Sequence, residues 1–560
     1  MHPFHPPRPA LKRCEFATIT AGSAGSAGRR AGPRIAVAQV AALVVAVASF
    51  VGVAGAEPVP ATAAPPTTTA PLVDVTWRGN LRLRSEWIAS PGFGNGTTGL
   101  YRELSLVAAP HGGVVADRIG DADLRLRVEP TVHVGNWTTV GLQLDVANRV
   151  GLGEEALAAT TTEQMTGVPT TGPVTQGFAV RRGWVDFDAF GVGHLRIGRM
   201  GDHFGLGLLR NDGRGADNDF QSDVDRVAIE VDLMGLRGLI ARDNLATLPV
   251  IERGPGVDSS DLPLNDSTDV IRWVFQVESA APRDDDGLHW GGAFAYQDQA
   301  LGLAVEHLDD PLAVLGSQCV ADGTCLQLVP RDATMVSPQV YLGWQRSLGI
   351  GRLRIEAEAA LLYATVANTD VLAGTDTSKT FISGGAALKA RLDQSRWSWL
   401  IDAGFASGES DGGFGVLDTT NFKTGDAGDA SHRSLLTGFH FHRGYRVDGL
   451  LFRDLIGAVA NAVYARIGWR SWLLRSGERT GLDLEAGLLG AIAASANATP
   501  GGSSFLGVEP ELRLRWVGET GGIASLLFSW AQPGAAFDAG LGGATPSPAW
   551  RIAAEWRVGF

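Results

Sequence analysis

Arginines recur at every second position in several stretches of this chain, alternating with apolar residues and interleaved with carboxylates. Arg78, Arg82 and Arg84 share a parity with Glu86, and Arg125 and Arg127 share one with Asp123 and Glu129. Arg352 and Arg354 fall in step with Glu356 and Glu358, Arg513 and Arg515 with Glu511, and Arg551 and Arg557 with Glu555. Arg196, Arg226, Arg272, Lys389, Arg391 and Arg466 stand in comparable alternating contexts. A guanidinium fork matches carboxylate and phosphate, so rows of them along a wall attract anionic or hydroxyl-rich solutes. The same arginines, paired with carboxylates on neighbouring strands, would instead brace that wall.

Other residue groups suggest sharper chemistry and then fall short of it. The stretch from Asp202 to Asp225 also holds His203, Asp212, Asp217, Asp219 and Asp223, a density that could hold a divalent cation at the mouth of an opening. No EF-hand spacing supports this, so a solvated acidic loop is expected, with Asp217, Asp219 and Asp223 as the weak metal candidates. Gly198 to Gly213 is rich in glycine but has no Gly-Lys-Ser/Thr, so a phosphate loop is excluded in favour of a tight turn. His440 and His442 sit at strand spacing opposite Phe439 and Phe441, which reads as polar filler on an inner face. No Gly-x-Ser-x-Gly elbow or other nucleophile-and-base arrangement is present, so an enzyme is not expected, nor any cofactor. Cys319 and Cys325 form a closely spaced pair, which an oxidising compartment would close as a disulfide; Cys14 lies apart from them.

Those residues need elements to position them, and the chain's ends say where. Ile35 to Ala56 is an uncharged run of small and aliphatic residues after Arg29, Arg30 and Arg34, closing on Ala54-Gly55-Ala56. This is the layout of a secretory signal over 1–56, cleaved near Ala56; the alternative is a transmembrane anchor, for which the run is about long enough. The stretch before Arg29 is long for such a leader, which a start downstream of Met1 would explain. A Pro, Ala and Thr-rich linker over 57–72 follows, and the remaining domain is 73–560. Net charge is −13 for the whole chain, and the first 56 residues carry six basic and one acidic residue, so the remainder stands at about −18. That balance excludes nucleic acid as a partner.

Across 73–560 the period is two. Trp77, Gly79, Leu81, Leu83 and Trp87 oppose the first arginine set, and Trp550, Ile552, Ala554, Trp556, Val558 and Phe560 oppose the last. Val227, Ile229, Val231 and Leu233 oppose Arg226, Glu230 and Asp232; Trp397, Trp399, Ile401 and Phe405 oppose Ser398 and Asp402. Helical periodicity is almost absent, so no helices are available to cover such a sheet. Aromatic residues recur near the segment ends, as in the interfacial girdles of membrane barrels, and the last segment ends on Phe560. The expected fold is all-β: a transmembrane, antiparallel, up-and-down β-barrel of about 18 strands, within a range of 16 to 18. The polar stretches 152–176, 246–266, 309–332, 408–431 and 497–505 are the loop candidates. A barrel of that width encloses an aqueous lumen unless loops plug it.

Two stretches resemble outer-membrane channels of the alginate-export type: His194 to Gly213 followed by Asp223-Val-Asp-Arg-Val227, and Ala406 to Phe414. Phe439 to Asp448 with Leu451 to Gly457 is similar to uncharacterised outer-membrane proteins of myxobacteria. The resemblance implies an 18-stranded pore in the outer membrane of a Gram-negative cell. Its solute does not carry over, because an alginate channel would have a strongly cationic lumen and this chain mixes signs. The expected function is porin-like passage of small polar or saccharide-like solutes, anionic ones included. The alternative is a plugged barrel acting as a surface receptor or scaffold. Expected partners are outer-membrane lipid and lipopolysaccharide, the barrel-assembly machinery through the strand ending at Phe560, and the solute.

Overall fold

The computed structural model describes residues 73–90, 118–151, 178–188, 193–215, 218–247, 269–281, 283, 285–307, 318–319, 324–367, 379–408, 438–477, 480–499, 501–519, 521–538 and 546–560. The leader, the linker and most of the expected loops lie outside them. Eighteen long strands form the wall. They are β1 Val73–Ala89, β2 Arg118–Val134, β3 Thr138–Gly151, β4 Ala179–Asp188, β5 Gly193–Gly201 and β6 Asp223–Leu233. Next come β7 Leu236–Thr247, β8 Asp269–Ser279, β9 Gly287–His307, β10 Thr324–Leu348, β11 Gly351–Val366 and β12 Lys379–Asp393. The circuit finishes with β13 Trp397–Ala406, β14 Ala462–Arg475, β15 Gly481–Ala493, β16 Phe505–Val517, β17 Ile523–Pro533 and β18 Ala549–Gly559. Each pairs antiparallel with its neighbour, and β18 returns to β1 from Asn80↔Gly559 to Ala89↔Trp550, closing the sheet. The fold is a closed, all-antiparallel 18-stranded barrel.

Closure follows from the alternation. Along β1, Leu83 and Trp87 are exposed on the outside while Arg82 and Arg84 are buried on the inside. Along β18, Ile552 and Trp556 face out and Arg551 faces in. A wall with an apolar exterior and paired edges leaves no backbone N–H or C=O facing the apolar side, the condition for crossing hydrocarbon. Eight connections at one end span two to seven residues, and nine at the other span eleven to fifty-five. Six of the seven exposed tryptophans among the described residues gather at the short-turn end: Trp77 on β1, Trp137 in the β2–β3 turn, Trp290, Trp399, Trp516 and Trp556, with Trp87 toward the other end.

Two expectations change. The 309–332 stretch is not loop throughout, because β10 starts at Thr324; a two-residue strand, Gln318–Cys319, pairs there and sets Cys319 opposite Cys325 in backbone register. The 497–505 stretch lies, as expected, in the connection between β15 and β16, which carries a 3-10 segment at Ala496–Ala498. The larger change concerns two long connections, 202–222 and 438–461, which turn into the barrel. His440 and His442 therefore lie on no wall strand, and only an isolated bridge, His440↔Ala460, interrupts this inner segment before a π-helical turn at Leu451–Leu455.

Candidate functional site

The lumen is the site, and its wall residues hold the two inner segments in place. Glu358 on β11 reaches inward, and its Oε2 accepts the N–H groups of Leu206 at 2.5 Å and Gly207 at 3.0 Å. Gly205, at φ 58, would place a Cβ 2.6 Å from that same oxygen, so only glycine fits the turn. Asp202 is ringed by Arg210 at 3.2 Å, Arg226 at 2.9 Å and Arg272 at 2.5 Å. Burial works to raise its carboxyl, but these three guanidiniums outweigh burial and hold it well below the usual range. Asp243 on β7 shares two of them, Arg226 at 2.6 Å and Arg272 at 2.7 Å. At the far end of the segment, Asp219 meets Arg82 at 2.7 Å and Arg84 at 2.8 Å, and Arg125 donates to the Asn218 carbonyl at 2.6 Å.

The 438–461 segment is seated by apolar packing. Phe439, Phe441, Leu450, Leu451, Phe452, Leu455 and Ile456 are buried with the inward Tyr464, Leu489, Leu506, Ala531 and Phe537 of the wall and its connections. Phe441 makes edge-to-face contacts with Phe439, Tyr445 and Tyr464. Glu509 on β16 accepts the N–H groups of Gly449 at 3.0 Å and Leu451 at 2.7 Å, while Arg551 on β18 donates to the Gly449 carbonyl at 2.6 Å. A Cβ on Gly449 would stand 2.0 Å from Ser529 Oγ and 3.1 Å from its Cβ, so a side chain there would force Ser529 to move.

The two segments also join each other across the lumen. The His442 N–H donates to Leu208 O at 2.5 Å, Asn218 Nδ2 to Gly444 O at 3.3 Å, and Arg443 stacks over Phe220 at 4.0 Å. His442 Nδ1 accepts the Gly444 N–H at 2.9 Å. Burial, reinforced by His440, Arg443, Arg446 and His203, pushes the His442 imidazole down to about 4.

Toward the short-turn end, the inner wall of β16–β18 is strongly cationic. A narrow cavity there is lined by Arg513 and Arg515, by Ile523, Ser525 and Leu527, and by Arg551, Glu555 and Arg557, with Arg84 and Arg453. Arg515 pairs with Asp483 at 3.1 Å, Arg551 with Glu86 at 2.6 Å, and Arg557 reaches Glu555 only at 3.5 Å. Among the described residues Arg513 forms no ion pair.

The remaining sequence candidates divide by partner. Arg127 binds Asp145 at 2.7 Å, Arg196 binds Asp186 at 2.6 Å, and Arg354 binds Glu356 at 2.8 Å. Arg466 sits among Glu511, Glu485 and Asp402. Arg391 pairs with Asp393 near a short turn, and Arg78 and Arg352 are exposed at that end. Lys389 lies 4.3 Å over the Tyr445 ring. The acidic 202–225 stretch is not a solvated loop: Asp219 is taken by arginines and Asp223 by Arg182 at 2.6 Å, while Asp217 lies outside the described residues. Among the described residues no group of acidic, His and Cys side chains could hold a metal. Sequence reading missed Glu509, Asp448, Phe220 and Gly449, whose roles exist only once the inner segments meet the wall.

No protein-family model and no curated protein sequence matches the chain. Solved structures similar to it include OccK9 (OpdG) of Pseudomonas aeruginosa, at 10% identity and TM-score 0.46, covering 87% of this chain and 99% of that one. OpdK, an outer membrane protein of the same organism, aligns at 12% identity and TM-score 0.43 over 87% and 99%. OmpT, an outer membrane protein of Vibrio cholerae, aligns at 9% and 0.37 over 88% and 99%. At this level the likeness adds nothing to the architecture that the strand register already defines.

Proposed function

We propose that the chain is a porin-like channel of the Gram-negative outer membrane, passing small polar solutes with a preference for anions. The observation that carries this reading is the arginine-lined inner wall of β16–β18, where Arg513 has no ion pair among the described residues and Glu555 is the one carboxylate lining the narrow cavity. The closed wall and apolar exterior support membrane insertion, and the tryptophans at the short-turn end suit an interfacial girdle on the periplasmic side. On this reading the leader 1–56 is removed near Ala56, lipid and lipopolysaccharide surround the barrel, and the assembly machinery engages the strand that ends at Phe560. Kinship with alginate-export-type channels belongs to the same proposal, supported by His194 to Gly213, which forms β5 and the entry of the first inner segment.

A second reading is a plugged barrel serving as receptor or scaffold, favoured by the dense apolar packing of the 438–461 segment. Planar-bilayer conductance of the refolded mature chain, with reversal potentials under a salt gradient, separates the two. Steady conductance with anion preference supports the channel. Silence from a barrel that still shifts mobility on heating rejects it in favour of the plug.

A further inference from the structure

The apolar exterior is interrupted on one sector, β5 to β9, by charges that point away from the lumen. On β7, Ala241 and Asp243 are buried on the inside, so Arg242 between them stands on the outside. Its register partners agree: Val227 on β6 is 47% exposed on that face, and Trp273 on β8 precedes the inward, fully buried Val274. Arg199 on β5 is also outward, two residues beyond the exposed Ile197, and it pairs with Asp225 on β6 at 3.1 Å. Arg242 has no such counter-charge: among the described residues its guanidinium forms neither an ion pair nor a hydrogen bond. The other carboxylate on this face, Asp298, stands on β9, two strands away. Both Asp225 and Asp298 are level, through the register, with Asn244, the next outward position beyond Arg242.

The height of Arg242 on the wall decides what can meet it. β7 leaves the short-turn end at Leu236, and Gly238 and Ile240 are the outward positions between it and Arg242. Those six residues rise ~20 Å along the strand, or ~15 Å along the membrane normal at a tilt of about 40°. The apolar band of such a barrel is ~25 Å tall, so Arg242 lies under the outer headgroups rather than in water. A bare guanidinium at that depth is costly, and snorkelling along the wall brings it to the level of lipid phosphate. Val227, Ile240, Trp273 and Phe275 beside and below it offer only apolar surface. The fitting occupant is therefore anionic at its head and apolar beneath. We propose that Arg242, with Arg199 beside it, forms a binding site on the lipid-facing wall for the phosphate of an outer-leaflet glycolipid, whose acyl chains lie along β6–β8. The guanidinium fork matches phosphate oxygens. The proposal rests on the outer-membrane part of the reading above and is independent of conduction.

The test is retention of lipid by the refolded mature chain in native mass spectrometry, after incubation in micelles holding equal amounts of lipid A and its dephosphorylated form. The heat-dependent mobility shift of a closed barrel is checked first for every chain. The native chain should retain the phosphorylated form in preference, and Arg242→Gln should reduce that preference about tenfold, the worth of one charge-assisted hydrogen bond. Arg242→Lys should restore part of it. Asp225→Asn, which releases Arg199, should raise it. Equal retention of the two lipids by the native chain, or an unchanged preference in Arg242→Gln, overturns the proposal. Should Arg242→Gln fail to fold, Asp225→Asn decides: a raised preference supports the site, and an unchanged one overturns it. Displacement of the lipid by inorganic phosphate would overturn the assignment to a lipid. A native chain that never gives a heat-modifiable barrel overturns the outer-membrane reading, and the proposal with it.

Discussion

Arg513 and Asp202 represent the two uses to which this chain puts its inward charges. Arg513 forms no ion pair among the described residues, stands opposite Glu485 in the β15–β16 register and lines the narrow cavity, so on the channel reading it is the cation a passing solute meets. Arg513→Gln should lower the anion-to-cation permeability ratio, read as a shift of reversal potential, while barrel stability stays unchanged. Asp202 is fully committed to Arg210, Arg226 and Arg272. Asp202→Asn leaves three buried guanidiniums short of a counter-charge and should destabilise the barrel by about 3–5 kcal/mol, read from unfolding in detergent. The pH dependence has a definite sign. Because the Asp202 carboxyl is held below its ordinary value, its contribution is complete above about pH 4 and is lost as the pH falls further. Unfolding of the native chain at pH 2.5 against pH 6 should show this loss, and Asp202→Asn should show less of it.

At the scale of elements, the strands were readable and the inner segments were not. Period-two alternation in β1, β6, β16 and β18 reports directly on a wall with a wet side and an oily side, so face and arginine placement followed from parity. Phe439-His-Phe-His442 carries the same alternation but pairs with no wall strand; its phenylalanines are buried inside the barrel against Tyr445 and the wall's Tyr464. Alternation says that a segment has two different faces, and it does not say which partner covers the apolar one. A signal was nonetheless present in the wall. On β15, Leu488 and Ile492 face outward and Leu489, Ala491 and Ala493 face inward, so both parities are apolar where the lumen is filled. Two substitutions test the seating. Phe441→Ala should cost about 3–5 kcal/mol of segment packing. Gly449→Ala, which drives a methyl into Ser529, should free the segment with the wall intact. Both should raise amide hydrogen exchange at 438–461 and, if the lumen conducts, enlarge the unit conductance.

For the molecule as a whole, the closed 18-stranded sheet was expected from length, parity and the near absence of helical period, whereas the partnering of inward charges was not. Arg82 finds Asp123 from the next strand and Asp219 from a segment far along the chain, and no spacing rule announces the second contact. The seam between β1 and β18 has a temporal consequence. Gly79 and Phe560 exchange backbone hydrogen bonds at 2.9 and 3.1 Å, so the first strand of the domain is completed only by its last. Every shorter nascent chain would present two raw strand edges to hydrocarbon, where unpaired peptide groups are prohibitively costly. Sealing of the β1–β18 seam and commitment of the sheet to the bilayer are therefore one late event.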